Sequence, residues 1–502
     1  MKLSRGLTNY FASYPTEVPS GRPSRGQKVV LFPTPSSLGS SGRLPVPAFT
    51  VPAVIEALKK SDNYSVFTKI VPGEADAFCA LHARSHGGVI LTSDSDLLVH
   101  DLGQGGSVAF IGDMELRSGP KQTVVAAEYL PAHICARLSI PPEKGVPALA
   151  FELNSTPSLS FQKSVERCKA GVASTASPKE YDEFMRQYLS PEIAGSTLHN
   201  SLAVNSLAVN LDPRISELVL KSVDFTSRFP PIANGDLDSE VGIENAPMYL
   251  PFLLDSPSRT SAWETSRSVR QLAYGLLQVI IGRPIGQVVE FRRLQTPSGG
   301  LRVEVPRLSS LDSVCLDLIE LMSRIRKLAT QPEIQWVILS MYQDISTSAT
   351  QGKRRPLSIQ VFQVDAGGTL DMTSWEVIHF LAQVQGTLYS LRMLQQVVDL
   401  VSIYVDKVQP ASFAELRSYL SQIPPLDEFP QLQGFSSLVQ EIQRARSLAA
   451  FTTAFRFSDD IVEEINNALH PREVKRPKAP KQPQPIRNTP VSNNPFDILG
   501  LD

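Results

Sequence analysis

The segment VPGEADAFCALHARSHGGVILTSDSDLL, residues 71–98, concentrates the chain's candidate chemistry. Glu74 and Asp76 stand two residues apart; a helix-length stretch, two glycines and a short β-branched run follow; then come Asp94 and Asp96, again two apart. Carboxylates gathered at one place repel one another and raise each other's pKa unless a cation neutralises them. Oxygen donors of this kind suit Mg²⁺ or Mn²⁺ rather than zinc. Two such ions about 4 Å apart can clamp a phosphodiester and activate water for in-line attack. A plainer reading competes, because acidic residues also favour helix N-termini on electrostatic grounds. Two pairs at this spacing, each placed just after an expected strand, make the plainer reading the weaker one.

For the pairs to meet, the surrounding elements must carry them to one edge. The pattern predicts a helix over 53–60, a strand over 65–71 and a helix over 75–86 with Gly87-Gly88 at its end. Short strands are expected over 89–92 and 107–111. Strand–helix–strand alternation implies a parallel sheet with right-handed crossovers. Ligand sites in such sheets form beyond the carboxyl ends of the strands, where all four carboxylates would converge.

The order G-E-A-D, helix, Gly-Gly, strand, T-S-D-S-D resembles the internal region of XPG and flap-endonuclease nucleases. Within that group it is most similar to the asteroid branch, fungal members especially. The narrower likeness is carried by VPAFTVPAVIEAL (46–58), LLVHDLG (97–103), LPFLLDSPSRTSAWETSRSVRQLAYGLL (250–277) and the hairpin that follows. It is strong over 46–115, fair over 246–305 and thin elsewhere. The resemblance implies a PIN-like α/β core, nuclear residence, and Mg²⁺- or Mn²⁺-dependent, structure-selective hydrolysis of phosphodiesters in DNA or RNA. It assigns Glu74 and Asp76 to the acidic pair entering the helix and Asp94 and Asp96 to the pair after the strand. All four would be metal ligands and catalytic residues.

Departures from the family pattern matter as much. Family members begin with a strand bearing an Asp and carry another Asp ahead of a substrate arch. Before Gly73 this chain has only Glu17, Glu56 and Asp62. If 28–32 were the first strand, Pro33 would stand near the expected carboxylate. KLSRGLTNYFASYP is instead similar to a helix well inside full-length relatives, so an N-terminally incomplete chain is expected. The family's later Gly-x-Asp turn is missing too, since LAFELNSTPSLSF (149–161) offers Glu152 and no Asp. Impaired catalysis is the expectation. The rival, from another functional class, is a non-catalytic adaptor that keeps a nuclease-like fold for binding nucleic acid or protein.

The bulk numbers set the frame. With 502 residues, 42% hydrophobic and 20% charged, the chain suits about two to four domains with substantial cores. Its formal charge of −2 means that any basic footprint must be local. The four cysteines (79, 135, 168 and 315) are scattered, which argues against a zinc site or a disulfide framework and fits a reducing compartment. No apolar run approaches the roughly 18 residues of a membrane helix, and the N-terminus lacks a signal-peptide core. A soluble intracellular protein with no membrane partner is expected.

The expected architecture is a PIN/flap-nuclease-like core over 1–185, a linker over 186–245 containing the duplication NSLAVNSLAVN, and a mainly helical second lobe over 246–470. Helical periodicity is weak over 121–136 and 161–168. In the second lobe helices are expected over 262–278, 311–328, 374–405, 412–423 and 435–448, with a hairpin over 287–305. Residues 471–502 form a basic, Pro-rich tail expected to be disordered. Lys475, Arg476 and Lys478 resemble a nuclear-localisation run, and Asn494-Pro495-Phe496 with Ile498 and Leu499 reads equally as a protein-docking peptide or an idle end.

Lesser signals each carry two readings. His100-Asp101 suggests a general base or, more often, a structural edge. Trp263 with Arg267 and Arg270 suggests nucleic-acid contact or, more often, core packing. Arg292-Arg293 and Lys353-Arg354-Arg355 suggest phosphate contacts or ordinary solvated charge.

Overall fold

The computed structural model describes residues 29–30, 48–71, 75–117, 123–171, 177–188, 211–219, 246–256, 258–281, 284–292, 300–351, 356–362, 370, 374–404, 411–444, 451 and 454–455. Glu74, Arg293, 353–355, the duplication and the whole basic tail lie outside them. The fold is mixed α/β, with small sheets and a large helical portion.

In the first half the elements run β1 (Val29–Val30), α1 (Thr50–Lys60), α2 (Ala75–His86), β2 (Gly88–Thr92), β3 (Gly106–Phe110), β4 (Glu115–Arg117), β5 (Thr123–Val125) and β6 (Glu128–Tyr129). Four helices follow: α3 (Pro131–Leu138), α4 (Gly145–Ser155), α5 (Phe161–Ala170) and α6 (Pro178–Tyr188). Strands β2 and β3 pair in parallel, with Gly88 opposite Gly106 and Thr92 opposite Phe110. Strand β6 adds to β3 antiparallel. A separate antiparallel sheet has the order β1-β4-β5.

Helix α2 forms as expected. Asp76 in its first turn and Arg84 and His86 in its last complement the helix dipole. It stops because Gly87 takes φ 73°, which a residue without Cβ adopts freely. At the far end of the crossover Gly106 is equally constrained, since an added Cβ would lie 2.2 Å from the Leu102 carbonyl oxygen. The two glycine positions thus let the turn 103–106 lie against the start of β2, where Gly88 N–H donates to the Gly105 carbonyl at 2.9 Å.

Two expectations need correction here. Residues 65–71 are not a strand: Ser65–Phe67 forms a 3₁₀ turn. The N–H groups of Ser65, Phe67 and Thr68 donate to Ser61, Tyr64 and Ser65 carbonyls, so local turns consume what a ladder would need. Val66 and Phe67 are left exposed. The parallel pairing among the described residues of this half is therefore β2–β3 alone, and the run entering Glu74 and Asp76 does not arrive from a strand. Residues 121–136 likewise split into β5, β6 and α3. β-branched Thr123, Val124 and Val125 favour the strand, and Pro131, with no N–H to donate, can only begin a helix.

The second half contains β7 (Ala246–Tyr249), α7 (Arg267–Ile281), β8 (Gln287–Phe291) and β9 (Leu301–Glu304), then α8 (Leu311–Leu328), α9 (Pro332–Gln351), α10 (Leu357–Phe362), α11 (Trp375–Tyr404), α12 (Ala411–Leu420) and α13 (Leu432–Arg444). Strands β8 and β9 form the expected hairpin, and β7 joins β8 in parallel. The expected helix 262–278 begins five residues later, at Arg267, after a 3₁₀ turn at Ala262–Glu264. Asp255 Oδ2 accepts from the Ala262 N–H at 2.8 Å where that turn begins.

Two hydrophobic clusters organise the chain. One gathers β3, α3–α6 and the turn after β2 around Leu97, Leu98, Val108, Leu149 and Phe184. The other is built on α7, α9 and the 30-residue α11. Phe49 and α1 belong with this second cluster, although they precede the acidic segment in sequence. The Phe49 ring stacks on Tyr389 at 5.0 Å and meets Phe429 and Trp263 edge-on. Glu56 pairs with Arg392 at 3.1 Å, and Lys59 Nζ donates to the Leu211 carbonyl at 3.1 Å.

The second cluster also encloses a charged network. Arg270 and Glu290 are fully buried and paired through two parallel bonds, Nε to Oε1 at 2.7 Å and Nη2 to Oε2 at 2.9 Å. Tyr274 donates to Glu290 Oε1 at 2.8 Å, and Arg292 donates to Oε2 and to Glu264. Arg270 Nη1 reaches Ser266 and Ser390, tying α7 to α11. Burial alone would raise the Glu290 pKa, but Arg270, Arg292 and the Tyr274 hydroxyl overcome it and hold the carboxyl at about 2, against an ordinary 4.5. Because the folded value lies below the unfolded one, this carboxylate contributes stability that is complete above the ordinary value and is lost as pH falls toward about 2. The stability difference between the wild type and Glu290→Gln should therefore shrink between pH 5 and pH 2, roughly the window of that shift. Thermal melts across that range check it; a pH-independent difference would show that the carboxylate's charge is not what the network uses.

Candidate functional site

The acidic turn forms where β2 ends. Leu97, Leu98 and Val99 are buried, so the chain must fold back into the first cluster directly after Asp94 and Asp96, which remain exposed. Side-chain-to-backbone bonds shape the turn. Thr92 Oγ1 accepts from the Asp94 N–H at 3.0 Å, and Asp94 Oδ1 accepts from the Asp96 N–H at 3.1 Å. Partial burial of the Asp96 carboxyl, reinforced by neighbouring Asp94, pushes its pKa upward.

Asp76 stands half-buried at the start of α2. Its link to the acidic turn is His100, which is buried one turn beyond Asp96. Burial lowers the imidazole pKa, while Asp76, a hydrogen bond to the Tyr188 backbone and Asp96 pull it back up. Asp76 also raises the pKa of Cys79, after burial has done so first. Asp76 and Asp96 thus both act on His100, and Asp94 acts on Asp96. Glu74 lies outside the described residues.

Among the described residues no group of three or more His, Cys, Asp or Glu side chains is placed to hold a metal ion. The donor chemistry of Asp76, Asp94 and Asp96 suits Mg²⁺, but by themselves they fall short of a metal centre. Glu152 does not supply the missing ligand. It is buried in α4 and pairs with Arg167 of α5 at 3.0 Å, so it serves the helical hairpin instead.

Other sequence signals resolve toward structure. Asp101 accepts from the Gly103 N–H at 3.0 Å and pairs with Arg84 at 3.3 Å, which makes His100-Asp101 a structural edge. Trp263 and Arg270 are fully buried and Arg292 nearly so, which removes them as phosphate contacts. No disulfide joins the cysteines, and Cys79 alone of the four is exposed. No described helix is long and apolar enough to cross a membrane.

One residue at this site had no counterpart in the sequence reading. Tyr188 ends α6, half-buried, with its ring edge-on to His100 at 5.3 Å. Burial, then Asp96 and Asp94, raise its phenol pKa. The available signal was the spacing Tyr181, Phe184, Tyr188, an aromatic stripe at helical intervals.

The described residues place an acidic turn at the carboxyl end of a parallel strand pair, backed by a helical hairpin, in a mixed α/β domain. The chain belongs to the XPG domain-containing family, whose model matches residues 46–305, a little over half of its length. No curated protein and no solved structure matches it.

Proposed function

We propose that the chain is a nucleic-acid-engaging member of the metal-dependent, structure-selective nuclease group, on a PIN-like core, with weak phosphodiester hydrolysis. Glu74, Asp76, Asp94 and Asp96 are its metal-binding and catalytic carboxylates, taking Mg²⁺ or Mn²⁺, and DNA or RNA is its substrate. The metal would supply charge neutralisation and activated water; the chain's own residues set the spacing of the carboxylates. The observation that carries this reading is the turn after β2, which holds Asp94 and Asp96 exposed above the buried Leu97-Leu98-Val99 anchor in a chain of the XPG domain-containing family. Lys475, Arg476 and Lys478 are proposed as its nuclear address. The competing reading, a non-catalytic adaptor, draws its support from Glu152, which is committed to Arg167.

Ligand-linked stability tests the proposal. Mn²⁺ should raise the melting temperature of the full chain by mass action, and Asp94→Asn with Asp96→Asn should abolish the rise. An equal shift in the double variant would remove the site. Cleavage of flap or single-stranded substrates is expected to be slow. Robust, metal-dependent cleavage that is lost in Asp76→Ala would overturn the impaired-catalysis part alone.

A further inference from the structure

Helix α6 carries an aromatic row that runs from the interior of the first cluster to the acidic turn. Tyr181 and Phe184 both meet Phe151 of α4, at 5.1 and 5.4 Å between ring centroids. Phe184 is buried, and Tyr188 packs on it at 5.0 Å. The last ring is therefore held from below by Phe184 and from the side by His100. His100 in turn follows the buried Leu97-Leu98-Val99 anchor of the turn that exposes Asp94 and Asp96.

We propose that Tyr188 is a positioning residue, a half-exposed stacking platform that seats a base of single-stranded nucleic acid beside the acidic turn. This rests on the nucleic-acid reading above and adds to it the part of the ligand that is recognised. Phosphates alone are poorly attracted to a turn bearing Asp94 and Asp96. A base has a π-face whatever its sequence, and stacking on an aromatic ring carries no charge penalty. Its ring contacts with Phe184 and His100 fix the tyrosine in advance, so little ordering is left to be done on binding. The platform favours unpaired strands, because paired bases already stack on each other.

The test uses the full chain in Mg²⁺ buffer with a fluorescein-labelled single-stranded oligodeoxyadenylate, read by anisotropy. Tyr188→Leu should weaken binding about tenfold, while Tyr188→Phe, which keeps the ring, should stay within about twofold. An abasic strand of equal length should bind the unmodified chain about tenfold more weakly than the adenylate strand, a readout that needs no variant to fold. Equal binding of the abasic and adenylate strands, or unchanged binding by a folded Tyr188→Leu, overturns the platform while leaving nucleic-acid engagement standing. Absence of binding by the unmodified chain to either strand overturns the nucleic-acid reading itself, and the platform with it.

Discussion

Glu290→Ala should cost about 3–5 kcal/mol of folding stability, the usual penalty for removing one partner of a buried ion pair. Two guanidinium groups depend on this carboxylate, Arg270 with no exposure and Arg292 with almost none. Removing it strands the Arg270 cation in the interior, leaves Arg292 with Glu264 alone and strips the Tyr274 hydroxyl of its acceptor. The lost attraction is the smaller part; stranded charge is the larger. The double variant Arg270→Met with Glu290→Leu should recover a good share of the loss, because the cost of desolvating Arg270 disappears with it. Urea denaturation of the three proteins measures this. A loss below about 1 kcal/mol in Glu290→Ala, the level of an exposed ion pair, would show that water reaches the network.

Phe49→Ala should be of comparable size, about 3–5 kcal/mol for a buried phenylalanine whose surroundings cannot collapse. Its ring fills the space between Tyr389, Phe429 and Trp263, which α11 and the segment near α13 hold in place. The backbone at Phe49 adopts φ 63°, a left-handed conformation that is uncommon for a bulky residue and persists only where packing enforces it. Phe49→Gly should therefore be less damaging than Phe49→Ala, since glycine accepts that conformation at no steric cost. Equal losses would mean that the backbone at this position is unstrained. Loss of α1 anchorage should also appear as faster amide exchange across residues 50–60.

Which parts of this structure were legible beforehand follows from how locally each was encoded. Helix α2, its glycine stop and strands β2 and β3 are specified by residues within a dozen positions of one another, and they appear where the pattern put them. The same holds for α8, whose apolar positions recur at helical spacing. Helix α9 was missed because Ile334, Trp336, Val337, Ile338, Leu339 and Met341 are all buried, leaving no polar face to mark a helical period. The strand expected over 65–71 failed for the opposite reason: its alternation is sound, but among the described residues no strand pairs with it, and local turns won. At the site, Asp94 and Asp96 were readable from their spacing. Tyr188 was not, because its meeting with His100 joins positions 88 residues apart in sequence.

The enclosed arginines have a further bearing on how this protein meets a polyanion. A cation strengthens nucleic-acid binding by displacing condensed counterions from phosphates, which gives affinity its steep dependence on salt. Arg270 and Arg292 are already neutralised inside the fold and release nothing. Glu290 and Glu264 balance the two cations, so the network adds nothing to the chain's formal charge of −2 and projects little positive potential outward. Ionic strength should act weakly on any contact made through the described acidic turn, and base stacking, which salt barely touches, becomes the term that selects the ligand.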